Sequence, residues 1–334
     1  MATTNVPQLS ILIVSYNTRA MTLACLDSVV RETSRVSYEL IVVDNASQDG
    51  SATAIAAHQA GPHLFALAHN IGFGRANNVA ARAARGEFIL LLNPDTEIRD
   101  GAIDKLFEFA ARNPKAGIWG GRTIFADGRL NPASAWARMT PWRLFCRASG
   151  LTALAANSGF CNGEAYGGWQ RDSEREVDIV SGCFLLIKRD LWETLGGFDP
   201  TFFMYGEEAD LCLRAIRRGA KPRVTPLATI VHHGGASEPA RADKMVRLLT
   251  AKATLIQRHF PAPLVTLGLW LQAAWPLSRT IACNILARIS LSPPRTAAAR
   301  EWSEIWRRRR EWYAGYGART ATAAAPRSGS SAAA

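Results

Sequence analysis

Phe88-Ile89-Leu90-Leu91-Leu92-Asn93-Pro94-Asp95 carries five apolar residues into a polar stop. A run with no polar alternation suits a strand covered on both faces, and a proline right behind it cannot extend a hydrogen-bond ladder. Upstream the same kind of run recurs at residues 9–14, 40–43 and 64–68, each followed by a polar turn and then, at 74–85 for instance, a stretch with helical spacing. Strands alternating with helices predict an α/β fold with a mostly parallel sheet, which takes its ligands beyond the carboxyl ends of the strands. A helix is expected at 102–112. Residues 120–176 show no clear period and read as a long functional loop with short elements. Order returns with a buried strand over 177–188, a short helix around Leu191, a helix over 208–218 and a strand near 228–231.

The chain has 334 residues and a formal net charge of +11. Met1–Ala240 contributes 24 basic and 24 acidic side chains, whereas Arg241–Ala334 contributes 15 and 4. A neutral body with a basic end points to one anionic partner met at that end, not to a protein attracted to polyanions over its whole surface. The six cysteines include no Cys-x-x-Cys pair and read as reduced thiols. The first nine residues show no charged region followed by an apolar run, so a cytosolic body is expected. The uncharged stretch 260–278 is borderline for crossing a bilayer and reads as interfacial.

Polar residues collect where the strands end. Ser15-Tyr16-Asn17 follows the first strand, Asp44-Asn45 the second and Asn93-Pro94-Asp95 the fourth. In a parallel sheet these converge on one rim, giving an aromatic face, a carboxylate for a base or ribose, and oxygen near a metal: a nucleotide site in outline. Asp95 is the candidate ligand of Mg2+ or Mn2+, which in phosphate chemistry takes few protein oxygens. Alternatively, Asp44 and Asp95 cap the helices that follow. Gly72 and Gly74 invite a dinucleotide-binding reading, but Asn77 stands where a third glycine belongs, so they read as a tight turn. Glu207, Glu208 and Asp210 open a helix, where the dipole favours anions. Glu208 points away from the side shared by Glu207 and Asp210 and is the candidate general base, while either of the other two is positioned to pair with Arg214. His232 or His233, just after a strand, is placed to complete a metal site with Asp95.

Together with Ser181-Gly182, Gly196-Gly197-Phe198-Asp199 and the ordered spacing Glu207-Glu208-x-Asp210-Leu211-Cys212-x-Arg214, these motifs resemble the inverting family 2 glycosyltransferases. They are most similar to the bacterial rhamnosyltransferase branch acting on lipid-linked saccharides, and the resemblance runs from about Leu9 to Ser237. It implies a GT-A fold over residues 1–240, with a nucleotide-binding half (1–115) and an acceptor half (116–240), a nucleotide-sugar donor and a divalent metal. Carried onto this chain, the donor set is Ser15, Tyr16, Asn17, Asp44, Asn77, Asn93 and Asp95, with Tyr16 and Asp44 at the nucleobase. The metal set is Asp95 with His232 before His233. The base is Glu208, with Glu207 and Asp210 as fallbacks, and Ser181, Gly182 and Arg214 stand as acceptor residues; apart from the resemblance, Trp169 in the loop reads either as an acceptor residue that stacks on a sugar or as a buried anchor of the loop. Two departures stand out: Asn93 occupies the first place of the family's Asp-x-Asp motif, and Glu208 stands where the family has Asp. The function implied is transfer of a sugar, L-rhamnose from dTDP-L-rhamnose first, to a lipid-linked or growing cell-surface glycan. Galactofuranosyl, N-acetylhexosaminyl or glucosyl transfer, or a glycan-binding module with degraded chemistry, are the alternatives.

The region 241–318 reads as a basic, amphipathic helical extension and 319–334 as a disordered tail. Residues 262–277 hold Leu264, Leu267, Trp270 and Leu271, with Trp275 beyond and Arg279 and Arg288 following, while Trp302, Ile305, Trp306, Trp312 and Tyr313 fall near one stripe, with Arg307, Arg308 and Arg310 on the remaining surface. That pattern suits a helix lying on an anionic membrane, and so a peripheral protein at the cytoplasmic face of the plasma membrane. Packing of the stripe against protein is the competing reading. Nucleic acid ranks lower because no nucleic-acid motif precedes the tail, and a homodimer is left open.

Overall fold

The computed structural model describes residues 6–234, 241–290 and 292–317, and the chain divides into two compact units, Met1–Ala240 and Arg241–Ala334. The expected tail at 319–334 lies outside the described residues. The first unit opens with β1 (Leu9–Ser15), α1 (Arg19–Glu32), β2 (Tyr38–Asp44), α2 (Ser51–Ala56), β3 (His63–Ala66), α3 (Phe73–Ala83) and β4 (Phe88–Leu92). β1 pairs in parallel with β2 and β4, and β2 with β3. The spatial order β3-β2-β1-β4 means that the chain first builds outward on one side of β1 and then returns to its other side. Such a reversal opens a crevice at the carboxyl ends of β1 and β4. Ser15 stands opposite Asp44, and Ile13 opposite Leu92, so the polar residues that follow these strands share one rim.

β5 (Thr96–Ile98), α4 (Ala102–Arg112), β6 (Ile118–Ile124), β7 (Leu130–Asn131), β8 (Ala135–Trp136), α5 (Pro141–Ser149) and α6 (Leu151–Leu154) come next. They are followed by β9 (Arg175–Glu176), β10 (Ile179–Val180), β11 (Phe184–Lys188), α7 (Arg189–Leu195), α8 (Glu207–Arg217) and β12 (Arg223–His232). β11 runs antiparallel between β4 and β6, while β12 runs parallel to β6 and carries β5 on its far side. Both faces of the sheet are covered. Leu9, Ile11, Ile13, Val42 and Leu90 share a core with Leu26 and Val29 of α1 and Leu106 and Phe109 of α4. The alternate residues Leu12, Ile41, Val43, Ile89 and Leu91 are buried as well, on the face where α3 packs through Ala76 and Ala80. Burial on both faces explains why these strands read as unbroken apolar runs.

Three expectations are corrected. The loop expected over 120–176 contains the last five residues of β6, a strand in the interior of the sheet. Its Gly120-Gly121 pair hides the strand pattern, yet a Cβ on Gly120 would run into Val180 Cγ1 and one on Gly121 into the Ala228 carbonyl, so close packing requires glycine there. The single strand expected over 177–188 is two: β10 joins β8 in a separate two-stranded sheet, and Ser181-Gly182-Cys183 turns the chain into β11. β12 is longer than the expected 228–231 because its pairing with β6 shifts register between Thr225 and Thr229, around Pro226, which has no N–H to give.

The second unit holds α9 (Arg241–His259), α10 (Ala262–Ile289), α11 (Pro293–Arg307) and α12 (Arg309–Trp312). Here the Trp302 part of the expected membrane surface turns inward, while Tyr313 stays exposed. Trp302, Ile305 and Trp312 are buried with Val246 and Leu249, and Trp275 packs edge-on against Trp302 at 5.3 Å between ring centres. The Trp312 indole donates to the Ile305 carbonyl at 3.0 Å, and the Gln272 amide to the Leu249 carbonyl at 2.8 Å. Amphipathic spacing identified an apolar face, and protein covers it.

Gly121→Ala should cost about 1–3 kcal/mol through overpacking against the β12 backbone. Gly159→Ala, whose added Cβ would meet only the Gly167 carbonyl at 3.9 Å, should stay within about 0.5 kcal/mol of the parent. Urea denaturation of the two variants checks this.

Candidate active site

At the end of β1 the side chains divide their work. The fully buried Ser15 hydroxyl lies 3.2 Å from that of Thr18 and 3.0 Å from that of Thr22, so it pins the start of α1. Asn17 adopts a left-handed conformation at φ 52°, accepts from the Gln48 backbone N–H at its Oδ1 at 2.7 Å and donates its own N–H to the Ser47 hydroxyl at 2.9 Å. Both residues therefore hold the rim together instead of reaching into the crevice. Tyr16 keeps its ring at the surface. Asp44 is 2% exposed; its Oδ1 accepts from the Ser47 N–H at 2.9 Å, and its Oδ2 is buried without a partner. One oxygen of Asp44 closes the turn at Ser47 and the other is free, while the alternative that it caps the following helix fails, because α2 starts behind Gly50 with no side-chain cap. Asn77 is absorbed by α3, where its amide donates to the Phe73 carbonyl at 3.1 Å.

A side-chain ladder that sequence reading did not single out supports this rim. The Asn45 amide nitrogen donates to Asn70 Oδ1 at 3.0 Å, Asn45 Oδ1 accepts from the Ile71 N–H at 2.9 Å, and Asn70 Oδ1 also accepts from the Gly72 N–H at 2.9 Å. Gly72, at φ 87°, starts α3, and a Cβ there would strike the Phe203 carbonyl, which already accepts the Phe73 N–H at 3.0 Å. This joins the turn before α3 to the turn before α8. The Asp44-Asn45 and Asn70-Gly72 motifs were the visible signal, although nothing local reveals that they pair.

Beyond β4, the Asn93 N–H donates to the Cys183 carbonyl at 3.1 Å, and the Asn93 Oδ1 is buried without a partner. Asp95 is nearly buried; its Oδ1 lies 3.4 Å from His232 Nε2, and its Oδ2 accepts from the Gly234 N–H at 3.0 Å. Burial alone would raise the Asp95 carboxyl, but the His232 ring and the Gly234 N–H outweigh it and hold it below the usual carboxylate range. Burial likewise pulls the His232 imidazole down, and the Cys183 sulfur and the Asp95 carboxylate carry it up to about 10. Of the two candidate histidines, His232 meets Asp95 with its ring. His233 is exposed and contributes its N–H to the Asp95 carbonyl at 3.0 Å.

Among the described residues no three His, Cys, Asp or Glu side chains form a metal cluster. Asp95 supplies one hard oxygen and His232, once it gives up the proton that Asp95 stabilises, one imidazole nitrogen, with the free Asn93 Oδ1 in the same turn. That sparse set fits Mn2+ or Mg2+ only when a diphosphate and water complete the shell.

α8 begins behind two left-handed residues, Tyr205 at φ 69° and Gly206 at φ 86°. Glu207 is 3% exposed with Oε2 unpartnered, and Gly74 of α3 packs against it closely enough that an added Cβ would lie 3.5 Å from Glu207 Cβ. Burial, reinforced by the neighbouring Glu208, pushes Glu207 up to about 8. Glu208 is half-buried and also raised by burial. Gly182 lies against it, an added Cβ there falling 3.6 Å from Glu208 Cβ, while the Ser181 N–H is tied to the Ser134 carbonyl at 3.0 Å. The structure therefore brings Ser181-Gly182 beside Glu208, and Cys183 beside Asn93.

Three assignments need correction. Asp210 is buried and accepts from Arg214 Nε at 2.6 Å. The other two guanidinium nitrogens of Arg214 donate to the Leu195 and Gly197 carbonyls at 2.7 and 2.8 Å. Asp210 and Arg214 thus clamp α8 to the end of α7; neither serves as base or acceptor contact. Trp169 is likewise an anchor: the guanidiniums of Arg171 and Arg175 lie 4.7 and 5.0 Å from its ring, and its indole donates to the Ser173 hydroxyl at 3.1 Å.

Residues 10–195 match Glycosyl transferase family 2. The chain is 29% identical over 245 residues to the O-antigen biosynthesis protein RfbC of Myxococcus xanthus, covering 71% of this chain and 18% of that protein. It is 29% identical over 222 residues to the N-acetylglucosaminyl-diphospho-decaprenol L-rhamnosyltransferase of Mycobacterium tuberculosis, covering 58% of this chain and 66% of the relative. The solved mannosyltransferase PcManGT of Pyrobaculum calidifontis, in complex with GDP-Man and Mn2+, superposes with a TM-score of 0.55 at 17% identity, over 90% of this chain and 86% of that one, a likeness of fold. With its mostly parallel sheet, its site at the strand-end rim and a family match over more than half its length, the chain belongs to glycosyl transferase family 2 and has the GT-A fold.

Proposed function

We propose that the chain transfers L-rhamnose from dTDP-L-rhamnose to a lipid-linked or growing cell-surface glycan, at the cytoplasmic face of the plasma membrane, with inversion at the anomeric carbon. The observation that carries this reading is the set of unpartnered acceptors, Asp44 Oδ2 and Asn93 Oδ1, on the rim that also holds the Asp95–His232 pair and Glu208. A buried acceptor without a partner costs about 1–3 kcal/mol. A nucleoside diphosphate-sugar offers the missing partners: a base N–H for Asp44, a ribose hydroxyl for Asn93, and the Tyr16 ring as a stacking surface. The choice of sugar and of a lipid-linked acceptor draws on what the mycobacterial relative is named for.

Asp95 and His232 would hold Mg2+ or Mn2+, which when bound neutralises the departing diphosphate as a Lewis acid. Within the chain, Glu208 takes the proton of the acceptor hydroxyl, whose oxygen then attacks the anomeric carbon from the face opposite the diphosphate. Its raised pKa brings it closer to neutral pH, where a general base is most effective. Glu207 is raised by burial and by the neighbouring Glu208, so the two carboxyls do not readily ionise together. Ser181-Gly182 presents backbone beside the base, leaving room for the acceptor.

Asp95→Ala and Glu208→Gln should each lower nucleoside diphosphate release, the latter by about 10²- to 10⁴-fold. A screen of nucleotide-sugar donors measures this and identifies the sugar. Normal turnover in Glu208→Gln would remove it as base, and release indifferent to a chelator would remove the metal. Glu207 gives a pH signature: its folded-state pKa lies above the unfolded value, so its contribution to stability is full below about pH 4.5 and is lost as pH rises to about 8. Glu207→Gln should therefore flatten the fall in stability across that window, read by thermal melting at stepped pH.

A further inference from the structure

α10 is apolar on the side its own unit does not cover. Leu264, Leu267, Trp270, Ile281, Ile285 and Ile289 are 36–75% exposed. Their spacing puts them along one face, and Ala274 and Ser278 continue it without charge. At 1.5 Å per residue the stripe runs about 40 Å. Away from the stripe, Gly268, Gln272 and Pro276 are buried, and Leu271 is buried at the edge of the stripe. α10 contains no acidic residue; its only charges are Arg279 and Arg288.

We infer that this face of α10 is the surface on which the protein lies against an anionic phospholipid bilayer, with the helix axis in the membrane plane. Spanning is excluded for α10, because no helix among the described residues is long and apolar enough to cross. Charge separates the remaining occupants. Arg241–Ala334 carries 15 basic against 4 acidic side chains, so a second copy seated on the stripe would bring like charges together. An anionic headgroup layer pairs with them instead, and each basic residue near such a surface adds attraction to the burial of the apolar face. The membrane face is thus α10, not the Trp302 stripe, which fills the core of the unit. This deepens the proposed reaction by giving the enzyme the surface where a lipid-linked acceptor resides.

The test uses the full chain and sedimentation with vesicles rich in phosphatidylglycerol, carrying neither sugar nor nucleotide. The double variant Trp270→Glu, Ile285→Glu should bind about tenfold or more weakly, and binding of the parent should fall with salt. The double variant Phe145→Glu, Leu227→Glu, which adds the same charge at exposed apolar residues of the first unit, should bind like the parent. Circular dichroism confirms folding, and Ile289→Glu, at the most exposed of these positions, serves as a second variant if the double one does not fold. Parent-like binding of the folded variants would overturn the inference, as would a parent dimer that becomes monomeric in them. Donor turnover with unchanged vesicle binding in the variants removes this surface and leaves the transferase reading standing. Weakened binding in the variants of a parent that turns over no donor removes the transferase reading and leaves the surface.

Discussion

The hydrogen bond from the Asn93 N–H to the Cys183 carbonyl, 3.1 Å, joins the two halves of the first unit at the point where its chemistry lies. On one side of it stands β4 with Asp95, on the other the Ser181-Gly182 turn that packs against Glu208. It is the last rung of the antiparallel β4–β11 pairing, in which Phe184 sits opposite Leu92. Because that ladder is apolar on both faces, shape and not polarity fixes its register: the Phe184 ring lies so close to Gly121 that an added Cβ there would strike it. The separation of Asp95 and His232 from Glu208 is therefore inherited from the packing of the sheet.

Around that junction the protein spends polar groups unevenly. Ser15, Asn17, Asn45, Asp210 and Arg214 are tied to neighbours, which stiffens the rim. Asp44 Oδ2, Asn93 Oδ1 and Glu207 Oε2 are buried and left over. A scaffold of satisfied bonds that holds a few unsatisfied acceptors in fixed directions is preorganised for a ligand, since little ordering remains to be done on binding. The buried glutamate pair follows the same logic, as two adjacent carboxylates in low dielectric cannot both ionise readily.

Much of this was legible in the chain itself. β4 ends where the Leu92-Asn93-Pro94 boundary requires, α4 covers the span its spacing predicted, and the strand-end motifs do meet on one rim. What escaped was set by contacts distant in sequence. β6 was hidden because Gly120 and Gly121, weak strand formers, are demanded by Val180 and by the Ala228 backbone. Arg214 looked like an acceptor contact until the Leu195 and Gly197 carbonyls were seen to claim it. Trp169 looked like a sugar platform until two guanidiniums were found over its ring. The Trp302 stripe shows the limit most plainly: periodicity reveals that a helix has an apolar face, but not whether protein or lipid lies against it.

The bond between Asp95 and the Gly234 N–H spans 139 residues of chain. As the protein emerges during synthesis, the nucleotide side of the rim, from Ser15 through Asn93, is present early, built on pairings among β1 to β4 that are comparatively local. Glu208 and His232 arrive only with the last elements of the unit. A chain that ends before Cys183 leaves β4 without its β11 neighbour, lacks the Phe203 carbonyl that receives the Phe73 N–H, and has neither Glu208 nor His232, so the rim is completed only when the last elements of the unit are made.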